Sequence, residues 1–380
     1  MKIVYCLNSI HYLGGIQRVT LVKANALADV PDNEVFLVVT DSKKGVLVED
    51  LSPRVKVIDL DVNYYADDWK SKFHVLKGIL VKRLQHKKKL AKTLQEIQPD
   101  IVISVGQSEK YFLPSIKGKW KTIREFHFVR DYRMRQAHSK FSKCLAFLGD
   151  FYDFNFKAKR YDKIVTLTRE DLETNWKGWR NVTAIPNPVS FKSESVSPLT
   201  QKTVVTTGRL NLEKNYASLI RAFKIVAQQH PDWQLKIYGE GPEHANLQHD
   251  IDDAQLSSNV TLQGFSSDVR EAMLQASLFV LTSLHEGFGL VMIEAMECGL
   301  PVVSYQCPCG PKEIISEGKD GFLVPLNDEK ALAQRICQLI ENQELRLQMG
   351  KAAKQKAQTY QVENIIEQWM TLFRTLAEQK

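Results

Sequence analysis

Ten short runs rich in β-branched and other apolar residues recur along the chain, at 2–7, 34–40, 100–105, 121–126, 163–168, 203–207, 234–238, 259–262, 278–281 and 301–304, with helical patterns between them. Strands that alternate with helices form parallel sheets covered on both faces, so the expected class is α/β. No segment repeats with a period of 20–50 residues, which excludes a solenoid. A chain of 380 residues exceeds what one core of about 250–300 residues holds. The sharpest composition break is 185–200, with Pro186, Pro188, Pro198 and four serines just before a fresh strand–glycine–helix unit. Two doubly wound domains are therefore expected, 1–187 and 188–360, followed by a helical segment at 361–380. Ligands of such sheets lie at the carboxyl ends of the strands, which makes a cleft between the domains the expected active site.

Composition narrows the function classes. Hydrophobic residues make up 44% and charged residues 25%, an ordinary globular balance. No uncharged run approaches the roughly 18 apolar residues of a spanning helix; 272–284 is broken by Gln275, Ser277, Thr282 and Ser283. Only Ile3 to Leu7 follow Lys2 before Asn8 and Ser9, too few for a signal peptide, so the chain is expected in the cytoplasm. Its six cysteines show no framework spacing and are expected as free thiols. Cys307-Pro308-Cys309 lacks the gap of a zinc knuckle, and no metal site is expected.

Charge is unevenly divided. Residues 1–187 hold 33 Lys and Arg against 21 Asp and Glu, a net of +12, whereas the remainder nets −5. The first half thus suits an anionic partner: a membrane surface, a phosphorylated acceptor or nucleic acid. Segment 73–94 reads as a basic amphipathic helix, with Phe73, Leu76, Leu80, Leu84, Ala91 and Leu94 at helical spacing and lysines on the other faces. Segment 130–160 mixes basic and aromatic residues, a blend suited to the lipid headgroups at the inner face of a cell membrane or to a saccharide. Each segment also reads simply as a helix docked on a sheet with solvated lysines. No helix-turn-helix, zinc-finger or RNP motif supports nucleic-acid binding.

Three motifs carry chemistry. Gly14-Gly15 follows the first strand and opens a helix, where bare backbone N–H groups and the helix dipole favour an anion; a tight turn is the other reading. The three-glycine dinucleotide fingerprint is absent, and Asp41 alone is a poor match for ribose recognition. Arg209, at a strand end, and Lys214, at the start of the next helix, suit a diphosphate, or else form surface ion pairs. In the stretch from Leu284 to Ala295, a glycine turn links a strand to a helix expected to begin near Phe288, with Glu286 in the loop and Glu294 two turns further on. A carboxylate buried in a cleft needs hydrogen-bond donors, and sugar or ribose hydroxyls supply them.

With these motifs in place, the sequence resembles the retaining GT-B glycosyltransferases of glycosyltransferase family 4. The resemblance spans essentially the whole chain and is strongest from 204 to 324. Its pieces are Gly14-Gly15, the GRL–KN segment at 208–215, 238–243 (YGEGPE), 262–265 (LQGF), 286–294 (EGFGLVMIE), 310–315 (GPKEII) and 321–324 (GFLV). It implies two Rossmann-like domains facing a central cleft, the first binding acceptor and the second nucleotide sugar, with a C-terminal helix crossing back to the first. It further implies that Arg209 and Lys214 hold the donor diphosphate, assisted by the Gly15 backbone. Glu286 would bond donor-sugar hydroxyls, the amides from Phe288 through Gly289 to Leu290 would meet sugar and phosphate, and Glu294 would take the ribose diol. Gly264 and Phe265 would border the base, and His127 would reach the transferred sugar. The implied reaction is transfer with retention, without metal or other cofactor, from a nucleotide-diphosphate sugar to a saccharide or lipid-linked acceptor in bacterial surface polysaccharide assembly. Uridine is preferred as the base from the resemblance to surface-polysaccharide enzymes. A sugar phosphorylase or a nucleotide-sugar epimerase of the same fold is the alternative enzyme, and a non-catalytic basic nucleic-acid-binding protein the alternative of another class.

Overall fold

The structure, a computed structural model, describes residues 1–10, 14–41, 51–64, 72–106, 108–135, 137, 139–266 and 268–378, with side chains 72–77 and 79 outside the description. The chain divides into two compact units. One comprises Met1–Pro188 with Val362–Lys380, the other Val189–Gln361. The C-terminal segment thus belongs to the first unit rather than forming a separate piece, and the break between units falls at Pro188, inside the Pro/Ser-rich segment.

Strands β1 (Lys2–Leu7), β2 (Glu34–Val39), β3 (Val55–Asp59), β4 (Ile101–Ser104), β5 (Lys121–Glu125), β6 (Lys163–Thr166) and β7 (Val182–Ala184) build the first sheet, in the order β3-β2-β1-β4-β5-β6-β7. Strands β8 (Thr203–Thr207), β9 (Gln234–Tyr238), β10 (Val260–Gly264), β11 (Leu278–Leu281), β12 (Val302–Tyr305) and β13 (Gly321–Val324) build the second, in the order β10-β9-β8-β11-β12-β13. All pairings are parallel. Both sheets reverse strand order once, between β1 and β4 and between β8 and β11, and each reversal creates a crevice at the carboxyl ends of its flanking strands.

β3, β7 and β13 lie outside the ten expected runs, and all three are edge strands. β3 leaves most of its residues at least partly exposed and β7 has three residues. β13 opens on Gly321, whose missing Cβ leaves space for the Val302 carbonyl. An edge strand is buried on fewer sides and needs no continuous apolar run.

The C-terminal helix Val362–Glu378 buries Ile365, Ile366, Trp369, Met370, Phe373 and Leu376 in one core cluster with β1, β2 and the first helix, Gly15–Asp29. The basic helix Lys72–Ile97 corrects the expected apolar stripe. Leu90, Leu94 and Ile97 are buried, but Leu80 and Leu84 are 53% and 65% exposed. The buried face is rotated from the expected one, since His86, at i−4 from Leu90, extends it toward the N-terminus. Nor are all its lysines simply solvated: Lys82 Nζ donates to the Asn63 carbonyl at 2.6 Å, and Lys89 Nζ to those of Leu60 and Asp61 at 2.7 and 2.9 Å.

Candidate active site

The second unit gathers its site at the β8–β11 reversal. After β8, Gly208 (φ 153°) donates its N–H to the Tyr238 carbonyl at 2.9 Å, and Leu210 donates to Glu240 at 2.9 Å. Gly239 (φ 147°) donates to Gly264 at 2.7 Å, so the loops after β8, β9 and β10 are fastened in series. A Cβ at Gly239 would sit 1.9 Å from the Gly208 carbonyl oxygen. Gly239→Ala should therefore destabilise the protein by about 2–4 kcal/mol, from overpacking and left-handed strain together. Gly318 (φ 75°) has open space around its missing Cβ, so Gly318→Ala carries the strain alone. Urea unfolding midpoints compare the two, and equal losses would contradict the fastened loops.

Arg209 is exposed at the end of β8, and its guanidinium has no ion pair among the described residues. Lys214 is held more closely. It ends the short turn Leu212–Lys214, whose cap Asn211 accepts the Lys214 N–H at 3.1 Å; Asn215, left-handed at φ 52°, then starts helix Tyr216–Gln229. The chain after β11 is pinned to this turn by the Leu284 N–H on the Glu213 carbonyl at 2.8 Å and by the Thr282 hydroxyl on the Lys214 carbonyl at 2.9 Å. Lys214 Nζ consequently lies 2.6 Å from Glu286 Oε1, with side chains only 20% and 12% exposed. The Ser283 hydroxyl donates to the same oxygen at 2.6 Å. Burial pushes the Lys214 ammonium toward losing its proton, but the charge of Glu286, then Tyr216 and the hydrogen bond to Glu286, outweigh it and raise its pKa above the usual lysine value. It remains a cation.

The loop of 284–289 ends on Gly289, left-handed at φ 90°, which caps helix Leu290–Glu297. The helix thus begins at Leu290 rather than near Phe288, and Glu294 lies about one turn inside it instead of two. Glu294 is buried and accepts a hydrogen bond from the Ser190 hydroxyl. The Phe288 side chain is also buried, its ring edge-on to Tyr360 at 5.7 Å. Gly264 (φ 74°) ends β10, and the Phe265 ring beyond it is 68% exposed. Lys214 and Glu286 are thus brought into direct contact, Arg209 stands at the neighbouring strand end unbonded to either, and Glu294 and Phe288 turn inward.

In the first unit, Gly14 caps the helix Gly15–Asp29 with ordinary extended angles (φ −76°, ψ 167°) and no side-chain cap. Its conformation does not require glycine. At Gly15 an added Cβ would meet nothing within 4 Å among the described residues. His127 follows β5 and is buried, with Nε2 3.5 Å from Glu125 Oε1. Burial, reinforced by Lys23 and opposed by Glu125, lowers its pKa to about 4, so it is neutral near pH 7. Glu125 forms a fully buried ion pair with Lys23. Neither residue was expected from the motifs, yet Lys23 occupies a buried position of the first helix, four residues after Val19 and four before Leu27. A lysine on an apolar helix face is the signal that points to such a pair; Glu125 ends the polar strand sequence KTIRE and gives none. Nε2 of His127 and Oε2 of Glu125 are buried without a hydrogen-bond partner among the described residues.

Residues 190–356 match the family described as glycosyl transferases group 1. An uncharacterized glycosyltransferase of Haemophilus influenzae is 29% identical over 374 residues, covering 97% of this chain and 98% of its own. The crystal structure of Anabaena Alr3699/HepE in complex with UDP and glucose superposes with a TM-score of 0.74 at 20% identity, covering 98% and 99% of the two chains. Residues 190–356 thus belong to the glycosyl transferases group 1, and the chain has the GT-B fold. Over 51% of its length the chain is also 31% identical to the poly(ribitol-phosphate) alpha-N-acetylglucosaminyltransferase of Staphylococcus aureus, spanning 40% of that protein. Among the described residues no helix is long and apolar enough to cross a membrane.

Proposed function

We propose that the chain is a glycosyltransferase that transfers a hexose with retention from a nucleotide-diphosphate sugar, with UDP as the favoured carrier, to a saccharide or lipid-linked saccharide in bacterial surface polysaccharide assembly. The observation that carries the reading is the Lys214–Glu286 pair at the β8–β11 reversal: a fixed ammonium for a diphosphate beside a carboxylate for sugar hydroxyls. An ammonium has three N–H donors, so Lys214 can keep Glu286 while giving another to a phosphate oxygen. Exposed Arg209 adds a paired contact. Glu294 takes the ribose diol, the amides from Phe288 to Leu290 meet sugar and phosphate, and Gly264 with Phe265 borders the base. In the first unit, neutral His127 contacts the transferred sugar and the backbone amides at Gly14 and Gly15 offer donors to an anion. In the reaction the bond from the anomeric carbon to the phosphate oxygen breaks as the acceptor oxygen bonds to the same face, and the acceptor's proton passes to the departing phosphate. Charge gathers on that phosphate, so the two cations are the main catalytic lever. UDP in the HepE crystal supports the choice of base.

The test is a thermal-shift panel of UDP, GDP and ADP sugars, since a ligand bound only to the folded state raises Tm. UDP sugars are expected to give the largest shift, with NMR of the product showing the donor's anomeric configuration kept and turnover surviving a chelator. No shift with any of the three, an inverted product or loss of activity on chelation would each count against the reading.

A membrane contact belongs to the same proposal. Helix Lys140–Tyr152 buries none of its residues. Phe141, Phe147 and Phe151 are 73%, 59% and 52% exposed, with exposed Lys140, Lys143, Lys159 and Arg160 nearby. Solvated aromatic side chains with a basic surround match an anionic bilayer surface. The protein should co-sediment with phosphatidylglycerol-containing vesicles, less so at high salt, and a Phe147→Asp, Phe151→Asp variant should remain in the supernatant. Equal sedimentation of both proteins would remove this contact.

A further inference from the structure

The first unit contains a cavity of about 140 Å³ at the carboxyl ends of β4 and β5, bordered by His127. Four cations line it, Lys110, Arg124, Arg130 and Arg133, against the two carboxylates of Asp150 and Asp153 and the Lys23-paired Glu125. Three of the cations are engaged by hydrogen bonds, although Arg124 Nε is buried without a partner among the described residues. Arg124 binds Asp153 through both terminal nitrogens at 2.6 and 2.8 Å. Arg133 is shared by Asp150 at 2.9 Å, the Tyr111 hydroxyl at 2.8 Å and Asp153 at 3.3 Å. Arg130 donates to the Asn175 carbonyl and is packed against the rings of Phe154, Trp176 and Trp179.

Lys110 is the exception. Its half-buried ammonium sits 5.1 Å from the Tyr111 ring centre and has neither a carboxylate nor a hydrogen-bond acceptor among the described residues. Burial, then the charges of Arg124 and Arg133, lower its pKa to about 8 despite Asp153 and Glu109. Excluding water from an ammonium and crowding it with like charge is costly unless something else compensates it. Both nearby aspartates are already engaged by arginines, which leaves an excess of positive charge facing the cavity.

We propose that this cavity binds a phosphate ester of the acceptor, with Lys110 as the point charge on the phosphate and Arg133 beside it. The inference deepens the proposed function and rests on it: the acceptor is a phosphorylated saccharide or polyol, or a saccharide carried on a lipid diphosphate. An anion here restores the partner that Lys110 lacks, and the border formed by His127 sets the acceptor beside the residue proposed to contact the transferred sugar. A neutral saccharide leaves the ammonium uncompensated.

The test is isothermal titration of the full chain in an Arg209→Ala, Lys214→Ala background, which removes the proposed donor diphosphate site. Glycerol 3-phosphate probes the soluble ester, farnesyl diphosphate the lipid-linked one, and glycerol is the neutral control. At least one ester should bind, glycerol should not, and Lys110→Met should weaken the binding by roughly tenfold or more, as expected for a lost charged hydrogen bond. Lys110→Arg should restore most of the affinity, and melting temperatures of both variants guard against misfolding. Binding of glycerol 3-phosphate alone assigns the soluble source, and of farnesyl diphosphate alone the lipid source. Unchanged binding in Lys110→Met, failure of the arginine variant to restore it, or no ester binding overturns the proposal. UDP titrated into the unmodified protein separates the two claims: UDP binding without ester binding removes only the acceptor pocket, whereas Lys110-dependent ester binding without UDP binding removes the donor reading.

Discussion

Replacing Lys214 or Arg209 with alanine lowers kcat by about a hundred- to a thousandfold, the cost of roughly 2.7–4 kcal/mol for losing one preorganised donor to developing charge. The two variants should differ in stability even where their kinetics agree. Arg209 is exposed and unpaired among the described residues, so its removal should leave Tm nearly unchanged. Lys214 neutralises Glu286 at 12% side-chain exposure, and removing it leaves that carboxylate with the Ser283 hydroxyl in a poorly hydrated place. A partly buried charge without its partner destabilises the fold, so Lys214→Ala should also lower Tm. Steady-state kinetics and calorimetry on both variants test this together. Near-normal turnover in either would remove the phosphate role of that residue.

Deletion of residues 360–380 should prevent the first unit from folding. The lost helix carries six buried side chains, Ile365, Ile366, Trp369, Met370, Phe373 and Leu376. At about 1.5–3 kcal/mol each they represent roughly 9–18 kcal/mol as an upper bound, comparable to the whole stability of a typical domain at about 5–15 kcal/mol. The deletion also uncovers Lys23, whose ammonium lies 4.9 Å from the centre of the Trp369 ring and is paired with Glu125. The single change Trp369→Ala should cost about 3–5 kcal/mol. Circular dichroism and urea titration of the truncated chain decide the matter, and a truncated chain with the full protein's unfolding midpoint and activity would contradict the role given to this helix.

The contrast between what the sequence made legible and what it did not has physical causes. β1, β8 and β11 are central strands, and their boundaries coincide with the apolar runs, because burial on both faces imposes a continuous pattern. The edge strands β3, β7 and β13 carry no such requirement and left no clear run. The helix expected from Phe288 starts at Leu290 because Gly289 adopts a left-handed cap; two glycines in the motif did not reveal which would turn. Leu80 and Leu84 fit a helical period but not the buried face, since periodicity fixes a spacing and tertiary packing chooses the rotation. The Lys214–Glu286 contact joins residues 72 positions apart, and only the pairing of β8 with β11 brings them together. The Lys23–Glu125 pair was equally hidden, because Lys23 alone reads as an isolated charge on an apolar helix face and Glu125 as one more charge in the polar strand KTIRE.

The most direct test of the account is a crystal structure of the protein with UDP bound. The diphosphate should lie at the carboxyl ends of β8 and β11, with its oxygens within about 3.2 Å of Lys214 Nζ and the Arg209 guanidinium. A diphosphate bound elsewhere, with Lys214 still engaged only by Glu286 and Arg209 still free in solvent, would contradict it.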